Sequence, residues 1–246
     1  MSAPSPSKEI PPLALLAGGL ATRLGPLTAR LPKSILPVAG EPFIAHQLRL
    51  LVRHGVRNVI VCCGHLADQI ESFVGDGHQF GCRVLYSCDG PTPLGTGGAI
   101  RKALPLLGPS FWVMYGDSYL TTPFIPVLEA FRRSGQPALM TVHENRGRWD
   151  TSNVLFEDSK VVCYDKRRPL PGMQHIDYGL SILSAEVFEE WPDASAFDLA
   201  DLQSSIAANR SLAGYEVPER FYEIGSLSGL HETDSFLTES LRGVSA

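Results

Sequence analysis

Two basic residues follow a glycine pair early in the chain, in a spacing that suits the binding of phosphate groups. Gly18 and Gly19 come directly after a short apolar run, and Arg23 and Lys33 follow them. Glycines at the end of a strand let backbone N–H groups approach a phosphate, because no side chain intervenes. An arginine can hold phosphate oxygens in a fork, whereas a lysine acts as a point charge. The segment therefore predicts a binding site for a nucleoside triphosphate.

The best-known phosphate-binding loops do not account for this segment. It lacks the G-x-x-x-x-G-K-[ST] pattern of a P-loop. Residues 18–23 read GGLATR, which is not the G-x-G-x-x-G fingerprint of a dinucleotide site, so a dehydrogenase of that type is not indicated. An ordinary strand-to-helix turn with surface basic residues is the alternative interpretation.

Four later parts of the chain carry glycines, carboxylates or a lysine at the ends of predicted strands. In open α/β sheets, the carboxyl ends of the strands form the edge at which ligands bind. The plainer alternatives are a turn, a helix cap, a solvated charge and a surface strand. The segments are residues 93–99 (PLGTGGA), 115–118 (YGDS), 164–166 (YDK), and the pair 177–179 (DYG) with 221–225 (FYEIG).

The pattern L-A-G-G-x-x-T-R-L followed by P-K resembles the nucleotidyltransferases that activate sugar 1-phosphates, and the later segments resemble that family in the same order. Heptose 1-phosphate guanylyltransferases and N-acetylmuramate 1-phosphate uridylyltransferases are the most similar subgroups. The resemblance covers about residues 13–236. It implies an enzyme that needs Mg²⁺, in which a sugar 1-phosphate attacks the α-phosphorus of a nucleoside triphosphate in line with the departing pyrophosphate. GTP is favoured. A uridylyltransferase or cytidylyltransferase acting on another sugar 1-phosphate, or a catalytically silent nucleotide-sugar-binding regulatory subunit, is the alternative.

Roles for individual residues follow from the resemblance. It implies that Arg23 holds the departing pyrophosphate and Lys33 the α-phosphate, while Asp117 and Glu223 bind the magnesium ion. The nucleotide-binding residues that it implies are Leu16, Ala17, Gly18, Gly19, Gly95, Thr96 and Gly116. The sugar-phosphate-binding residues that it implies are Lys166, Asp177, Tyr178 and Gly179.

Three positions depart from the usual pattern of the family. Ala21 replaces a glycine, and alanine disfavours the positive φ that a close phosphate approach uses. Asp165 replaces a glutamate and leaves the role of Lys166 intact. Glu223 replaces an aspartate, and its longer side chain would shift the bound ion or require a moved backbone.

The elements that position these residues alternate along the first part of the chain. Buried strands are predicted at residues 13–17, 56–63, 82–87, 111–115 and 137–142, with helices between them. This alternation indicates an α/β fold with a doubly wound, mainly parallel mixed sheet of Rossmann-like type. Short strand-like segments after residue 143 predict antiparallel additions to that sheet.

The predicted domain organisation is simple. We expect residues 1–12 to form a disordered lead and residues 13–246 a single nucleotidyltransferase domain. Its nucleotide-binding part would comprise residues 13–143, and its sugar-phosphate-binding part residues 144–246.

The composition limits the classes of partner. The chain has 246 residues, 44% of them hydrophobic, and a formal net charge of −5 without a basic run, so a nucleic-acid groove is not expected. The five cysteines form no C-x-x-C pair and no zinc spacing, which favours reduced, buried thiols. No signal peptide or apolar run of membrane-spanning length is present, so we expect a cytoplasmic protein without a membrane partner. The sequence leaves a homo-oligomer, the nucleobase, the sugar and the pathway open.

Overall fold

The computed structural model describes residues 10–19, 31–145, 147–148, 151–191 and 196–244. In those residues the strands are β1 (Leu13–Leu16), β2 (Pro37–Val38), β3 (Glu41–Pro42), β4 (Asn58–Cys63), β5 (Arg83–Cys88), β6 (Ser110–Tyr115), β7 (Ser118–Leu120), β8 (Ala138–Glu144), β9 (Val154–Glu157), β10 (Lys160–Tyr164), β11 (His175–Ser184), β12 (Leu212–Glu216) and β13 (Phe221–Glu223). The α-helices are α1 (Phe43–Arg53), α2 (Ala67–Val74), α3 (Gly95–Leu107), α4 (Phe124–Ser134), α5 (Leu199–Ala208) and α6 (Leu227–Val244).

Nine of these strands form one mixed sheet in the order β5-β4-β1-β6-β11-β8-β12-β10-β9. The first four are parallel to one another, and β12 is parallel to β8. The predicted α/β class with a mainly parallel mixed sheet is thus confirmed. Strand β11 runs antiparallel to both of its neighbours, β6 and β8, so this antiparallel addition lies inside the sheet.

Helices cover both faces of the sheet, and the alternation of side chains along the strands explains why. In β1, Leu13 and Leu15 belong to the core that α1, α2 and α4 cover, while Ala14 and Leu16 face the core under α3 and α5. All four residues of this strand are buried. A central strand with both faces covered reads as a continuous apolar run, which is what made β1 predictable.

Two short strands outside the main sheet hold the carboxyl-terminal part of the chain against its centre. Strand β13 pairs antiparallel with β7, and Glu223 lies opposite Ser118 in that ladder. Helix α6 follows directly, and its Leu237 packs in a third core with Tyr119 and Ile224. The pairing therefore brings Glu223 next to Asp117, more than 100 residues earlier in the sequence.

The predicted lead is packed against the domain from Ile10 onward. The side chain of Ile10 packs against the first core beside Gly55, and the carbonyl of Pro12 accepts a hydrogen bond of 2.9 Å from the Trp112 N–H. Residues 1–9 lie outside the described residues. Among the residues that the structure describes, no helix is both long and apolar enough to cross a bilayer.

Candidate active site

A cavity of about 360 Å³ opens at the carboxyl ends of β1 and β6, beside the start of α3. Every residue that the sequence predicted to bind the nucleotide lines this cavity. The lining also contains Lys33 and Asp117, which were predicted to be catalytic. The residues of the wall are Leu16, Ala17, Gly18, Gly19, Lys33, Ser34, Cys62, Asp89, Pro93, Gly95, Thr96, Ala99, Tyr115, Gly116 and Asp117.

Two of the lining glycines are needed because the ends of neighbouring strands approach each other closely. A Cβ on Gly116 would lie 2.6 Å from the carbonyl oxygen of Leu16, and a Cβ on Gly18 would lie 3.2 Å from the backbone nitrogen of Gly64. Among the described residues, no atom lies within 4 Å of a Cβ built on Gly19, which lines the cavity. Gly18 and Gly116 allow the strand ends to approach.

The G-T-G-G segment of residues 95–98 forms the first turn of α3. Gly95 has a φ of +70°, and a Cβ there would lie 2.5 Å from the carbonyl oxygen of Phe197. A Cβ on Gly97 would overlap the Phe197 ring. The N–H groups of Gly97 and Gly98 donate to the Phe197 carbonyl at 2.9 and 3.3 Å. Much of the glycine content of this motif thus accommodates a segment about 100 residues later in the chain.

Thr96 lines the cavity, but its hydroxyl group forms hydrogen bonds at the start of α5. The Oγ1 atom donates to the Asp198 carboxylate at 2.7 Å and accepts from the Leu199 N–H at 2.8 Å. These bonds satisfy a free N–H in the first turn of α5. Thr96 therefore ties α5 to the wall of the cavity.

Lys33 and Asp117 form an ion pair in the wall of the cavity. Lys33 begins a 3₁₀ turn of residues 33–35, and its Nζ lies 2.7 Å from Asp117 Oδ2. Ser118 Oγ donates to the other carboxylate oxygen at 3.2 Å. The Lys33 side chain is only 16% exposed, so its charge is directed into the site. The structure thus brings together two residues that are 84 positions apart.

The carboxylate of Glu223 lies in the same neighbourhood but is turned toward the start of α6. It accepts hydrogen bonds from the Gly225 N–H and, at 2.6 Å, from the Ser226 hydroxyl. A Cβ on Gly225 would lie 2.5 Å from Glu223 Oε2, 3.0 Å from Lys33 Nζ and 3.6 Å from Asp117 Oδ2. Gly225 therefore marks a gap around which two carboxylates and an ammonium converge. Two carboxylates that converge on one point are a donor set that fits Mg²⁺.

A second cavity, of about 270 Å³, opens on the other side of Tyr115 and Asp117. It contains all four residues that were predicted to bind the sugar phosphate. Its wall consists of Tyr115, Asp117, Ser118, Asn153, Lys166, Ile176, Asp177, Tyr178, Gly179, Phe221 and Glu223. Because β11 is antiparallel to β6, the residues that precede Leu180 lie beside the carboxyl end of β6.

Lys166 is held by an aromatic and acidic environment in this second cavity. Its Nζ lies 5.1 Å from the centre of the Tyr115 ring, 3.4 Å from the Tyr115 hydroxyl and 3.9 Å from Asp177 Oδ2. Burial alone would lower the pKa of the ammonium, but the Tyr115 hydroxyl and the Asp177 carboxylate together raise that pKa. Lys166 is therefore a fixed positive charge at neutral pH.

Asp177 is nearly buried and its carboxylate is hydrogen-bonded, unlike a residue of a surface strand. The Asp177 carboxylate accepts from the Tyr164 hydroxyl at 3.1 Å and from the Gly179 N–H at 2.9 Å, and its side chain is 5% exposed. Gly179 has a φ of +96°, at an irregularity in the pairing of β11 with β8. The ring of Tyr178 is buried and packs edge-on against Phe221, so Tyr178 supports the wall from behind.

Sequence patterns did not indicate Asp89, which follows β5 and lines the first cavity. Its Oδ2 accepts a hydrogen bond of 3.0 Å from the Leu94 N–H, and partial burial raises the pKa of the carboxyl group. Tyr115 and Asn153 were likewise not predicted as ligands, because isolated residues of these types carry no motif. Arg23, which was predicted to hold pyrophosphate, lies outside the described residues.

Comparisons with known proteins agree with this arrangement. Residues 14–150 match the model of the family described as Nucleotidyl transferase. The chain therefore belongs to that family, and the predicted resemblance to sugar-1-phosphate nucleotidyltransferases, with the class of enzyme that it implies, is confirmed.

Individual relatives differ in length and in the nucleotide that their names carry. The N-acetylmuramate α-1-phosphate uridylyltransferase of Neisseria meningitidis is 29% identical over 90% of this chain and 96% of its own length. The UTP–glucose-1-phosphate uridylyltransferase of Synechocystis is 27% identical over 75% of this chain, which spans only about half (52%) of that relative. The structure of HddC from Yersinia pseudotuberculosis, complexed with GMP-PN, has a TM-score of 0.76 at 23% identity and covers 93% of this chain and 100% of its own. That likeness supports the fold alone.

Proposed function

We propose that this protein joins a sugar 1-phosphate to a nucleoside triphosphate, with release of pyrophosphate. The observation that carries the proposal is the meeting of two cavities at Tyr115 and Asp117, which line both. One cavity lies against the glycine pair and Lys33, and the other contains Lys166. A reaction between two anionic substrates requires such a shared boundary with a positive charge on each side.

The residues of the boundary would act by positioning and by neutralising charge. The phosphate of the sugar substrate is already an anionic nucleophile, so no general base is required. Lys166 would hold this phosphate, and Lys33 would stabilise charge on the α-phosphate as the bond to pyrophosphate breaks. Arg23 is proposed to hold the pyrophosphate.

Asp117 and Glu223 are the residues that would hold a magnesium ion. When bound, Mg²⁺ neutralises phosphate charge and fixes the relative position of the two substrates. Asp117 would hold the ion together with Glu223, and Lys33, which lies beside Asp117, would stabilise charge on the α-phosphate. Glu223 would keep its hydrogen bonds to the start of α6 and thereby stay oriented toward the gap beside Gly225.

GTP is the nucleotide that we propose, and Asp89 supports this choice. One oxygen of its carboxylate is bonded to the Leu94 N–H, while its other oxygen makes no hydrogen bond to a residue in the described ranges. Guanine presents two adjacent N–H donors on one edge, whereas uracil presents one. An ionised carboxylate only accepts hydrogen bonds, so it matches the guanine edge better.

A pyrophosphate-release assay tests the proposal. GTP, UTP, CTP, ATP and dTTP would each be combined with a panel of hexose, heptose and N-acetylhexosamine 1-phosphates, with and without Mg²⁺. We expect a metal-dependent signal that is largest with GTP. Lys33→Ala and Asp117→Asn should each lower the rate by about 10²-fold, in the range seen when one preorganised charge-stabilising group is lost. Lys160→Ala, which alters an exposed lysine of β10, is the matched control.

The outcomes separate the alternatives. A signal with UTP or CTP in place of GTP would overturn the choice of nucleobase and keep the reaction. Silence across the panel, with nucleotide binding intact by calorimetry, would favour a catalytically silent nucleotide-sugar-binding subunit. The cytoplasmic location, the homo-oligomer and the division into two parts of one domain stay predictions.

A further inference from the structure

Two cysteines and a glutamate meet at one edge of the sheet, away from the boundary of the two cavities. Cys63 is the last residue of β4 and Cys88 the last residue of β5, and the two are paired in register. Glu71 on α2 lies over this pair. The two Sγ atoms and a carboxylate oxygen of Glu71 all lie within 4.8 Å of one another.

The three side chains are already in close contact. The Cys88 thiol donates to Glu71 Oε1 at 3.4 Å, and the sulfur of Cys63 lies within 4.8 Å of both. Ligands of one tetrahedral zinc ion, with Zn–S near 2.3 Å and Zn–O near 2.0–2.2 Å, lie about 3.8 Å apart for two sulfurs and about 3.5 Å apart for sulfur and oxygen. The observed spacing of Cys88 and Glu71 therefore needs little adjustment to accommodate an ion.

The position of the cluster gives an ion access to it. Strand β5 is at the edge of the main sheet. Cys63 is buried, Cys88 is half-buried and Glu71 is exposed. The three ligands thus surround a point that is closed on the protein side and open on the solvent side, which leaves a fourth position for water.

We propose that Cys63, Cys88 and Glu71 form a binding site for a zinc-like divalent cation. Thiolates favour zinc over magnesium and calcium, which prefer oxygen ligands. The site would be separate from the carboxylates of Asp117 and Glu223. An ion there would link the ends of β4 and β5 to α2.

The site also has a consequence for the first cavity. Each cysteine is followed at once by a residue of the cavity region: Gly64 contacts Gly18, and Asp89 lines the wall. Lys102 donates to the backbone carbonyl of Cys88 at 2.6 Å, which holds the same strand end from the opposite side. A cation that fixes the ends of β4 and β5 would therefore stiffen this part of the cavity wall.

Direct metal binding tests the proposal without any use of catalytic activity, so its failure would leave the proposed function untouched. The full chain, without an affinity tag and kept reduced, would be titrated with Co²⁺ and then with Zn²⁺ in the presence of a chromophoric chelator. We expect one ion per chain, a thiolate-to-cobalt charge-transfer band in the near ultraviolet, and displacement of cobalt by zinc. A large excess of Mg²⁺ should not displace either ion.

Variants assign the ligands. Cys88→Ser and Glu71→Gln should each weaken zinc binding by at least tenfold, and Cys88→Ser should also reduce the charge-transfer band. Cys163→Ser is the matched control, because Cys163 is also half-buried in a strand but lies in β10. Thermal unfolding of the metal-free variants would show that they remain folded.

The proposal would be overturned by the absence of stoichiometric binding by the reduced chain, or by equal binding of Cys88→Ser and the unsubstituted chain. Loss of binding in Cys163→Ser alone would overturn it as well. Rapid formation of a Cys63–Cys88 disulfide that zinc does not protect against would also contradict it, because a bound ion must shield its thiolates from oxidation.

Discussion

Lys166 shows how single residues define the second cavity. Its ammonium lies over the Tyr115 ring and close to Asp177, and its side chain is 42% exposed. The raised pKa keeps this side chain charged, while the ring and the carboxylate restrict its position. A cation that is fixed but still accessible suits a phosphate that enters from solvent.

Replacement of Lys166 should affect one substrate selectively. Lys166→Ala should raise the KM for the sugar 1-phosphate by about tenfold or more, which is at least about 1.4 kcal/mol of binding, and leave the KM for the nucleotide nearly unchanged. Initial rates with each substrate varied in turn would measure both values. Lys160→Ala should change neither, and a rise in the nucleotide KM alone would contradict the assignment of Lys166 to the sugar-phosphate side.

Gly225 tests the arrangement of the two carboxylates. A methyl group at this position would crowd Glu223 Oε2 and Lys33 Nζ, at 2.5 and 3.0 Å, although the backbone there has no positive φ that would resist alanine. Gly225→Ala should therefore lower kcat by about 10²-fold, the scale of a displacement of about 1 Å, with a small change in thermal stability. Gly243→Ala, at an open position in α6, is the control, and full activity of Gly225→Ala would exclude a catalytic gap here.

At the scale of elements, the strength of a local signal decided what the sequence could predict. The parallel strands were predictable because each is a short apolar run between turn residues, as in β1 and β6. Strands β7 and β13 have three residues each and exist only because they pair with one another across about 100 residues. No local pattern carries that information, so the meeting of Glu223 with Asp117 was predicted from family resemblance rather than from spacing.

The start of α3 shows a second limit of sequence reasoning. Gly95 was predicted to bind the nucleotide, whereas the structure places Phe197 against both Gly95 and Gly97. A motif records that a small residue is needed but not which neighbour needs it. The cluster of Cys63, Glu71 and Cys88 was not predicted for the same reason. Its members come together only through strand pairing and helix packing.

A double-mutant cycle measures the role of Gly97. Gly97→Ala should lower the free energy of unfolding by about 1–3 kcal/mol, because the new methyl group overlaps the Phe197 ring. In a Phe197→Ala background the same change should cost much less, since alanine is otherwise favoured over glycine in a helix. Chemical denaturation of the four proteins gives the coupling. If Gly97→Ala lowered the free energy of unfolding equally in both backgrounds, Gly97 would have no packing role against Phe197. A loss of nucleotide affinity without a loss of stability would instead indicate that Gly97 contributes to nucleotide binding.

At the scale of the whole molecule, β6 lies between a parallel and an antiparallel part of the sheet, each with its own cavity. On one side it pairs with the parallel strand β1, and on the other with the antiparallel strand β11. The first cavity lies on the β1 side and the second on the β11 side. Tyr115, the last residue of β6, and Asp117 just beyond it are the only residues of the described chain that line both.

This arrangement predicts that the binding of each substrate can be weakened without affecting the other. Asp89→Asn should raise the KM for GTP, because an amide that keeps its oxygen on the Leu94 N–H presents an NH₂ donor to the guanine donors. Asp177→Asn should raise the KM for the sugar 1-phosphate, because it weakens the hold on Lys166. Asp117→Asn should lower kcat with either substrate saturating, since its carboxylate faces both cavities.

Full initial-rate kinetics on the three variants would decide whether the sheet works in this way. The expected pattern has the Asp89 and Asp177 effects on different substrates and adding in the double variant, as for sites that share no partner. If Asp177→Asn raised both KM values equally, the two cavities would act as one site. In that case the assignment of one substrate to each side of β6 would be wrong, while the proposed nucleotidyl transfer would be unaffected.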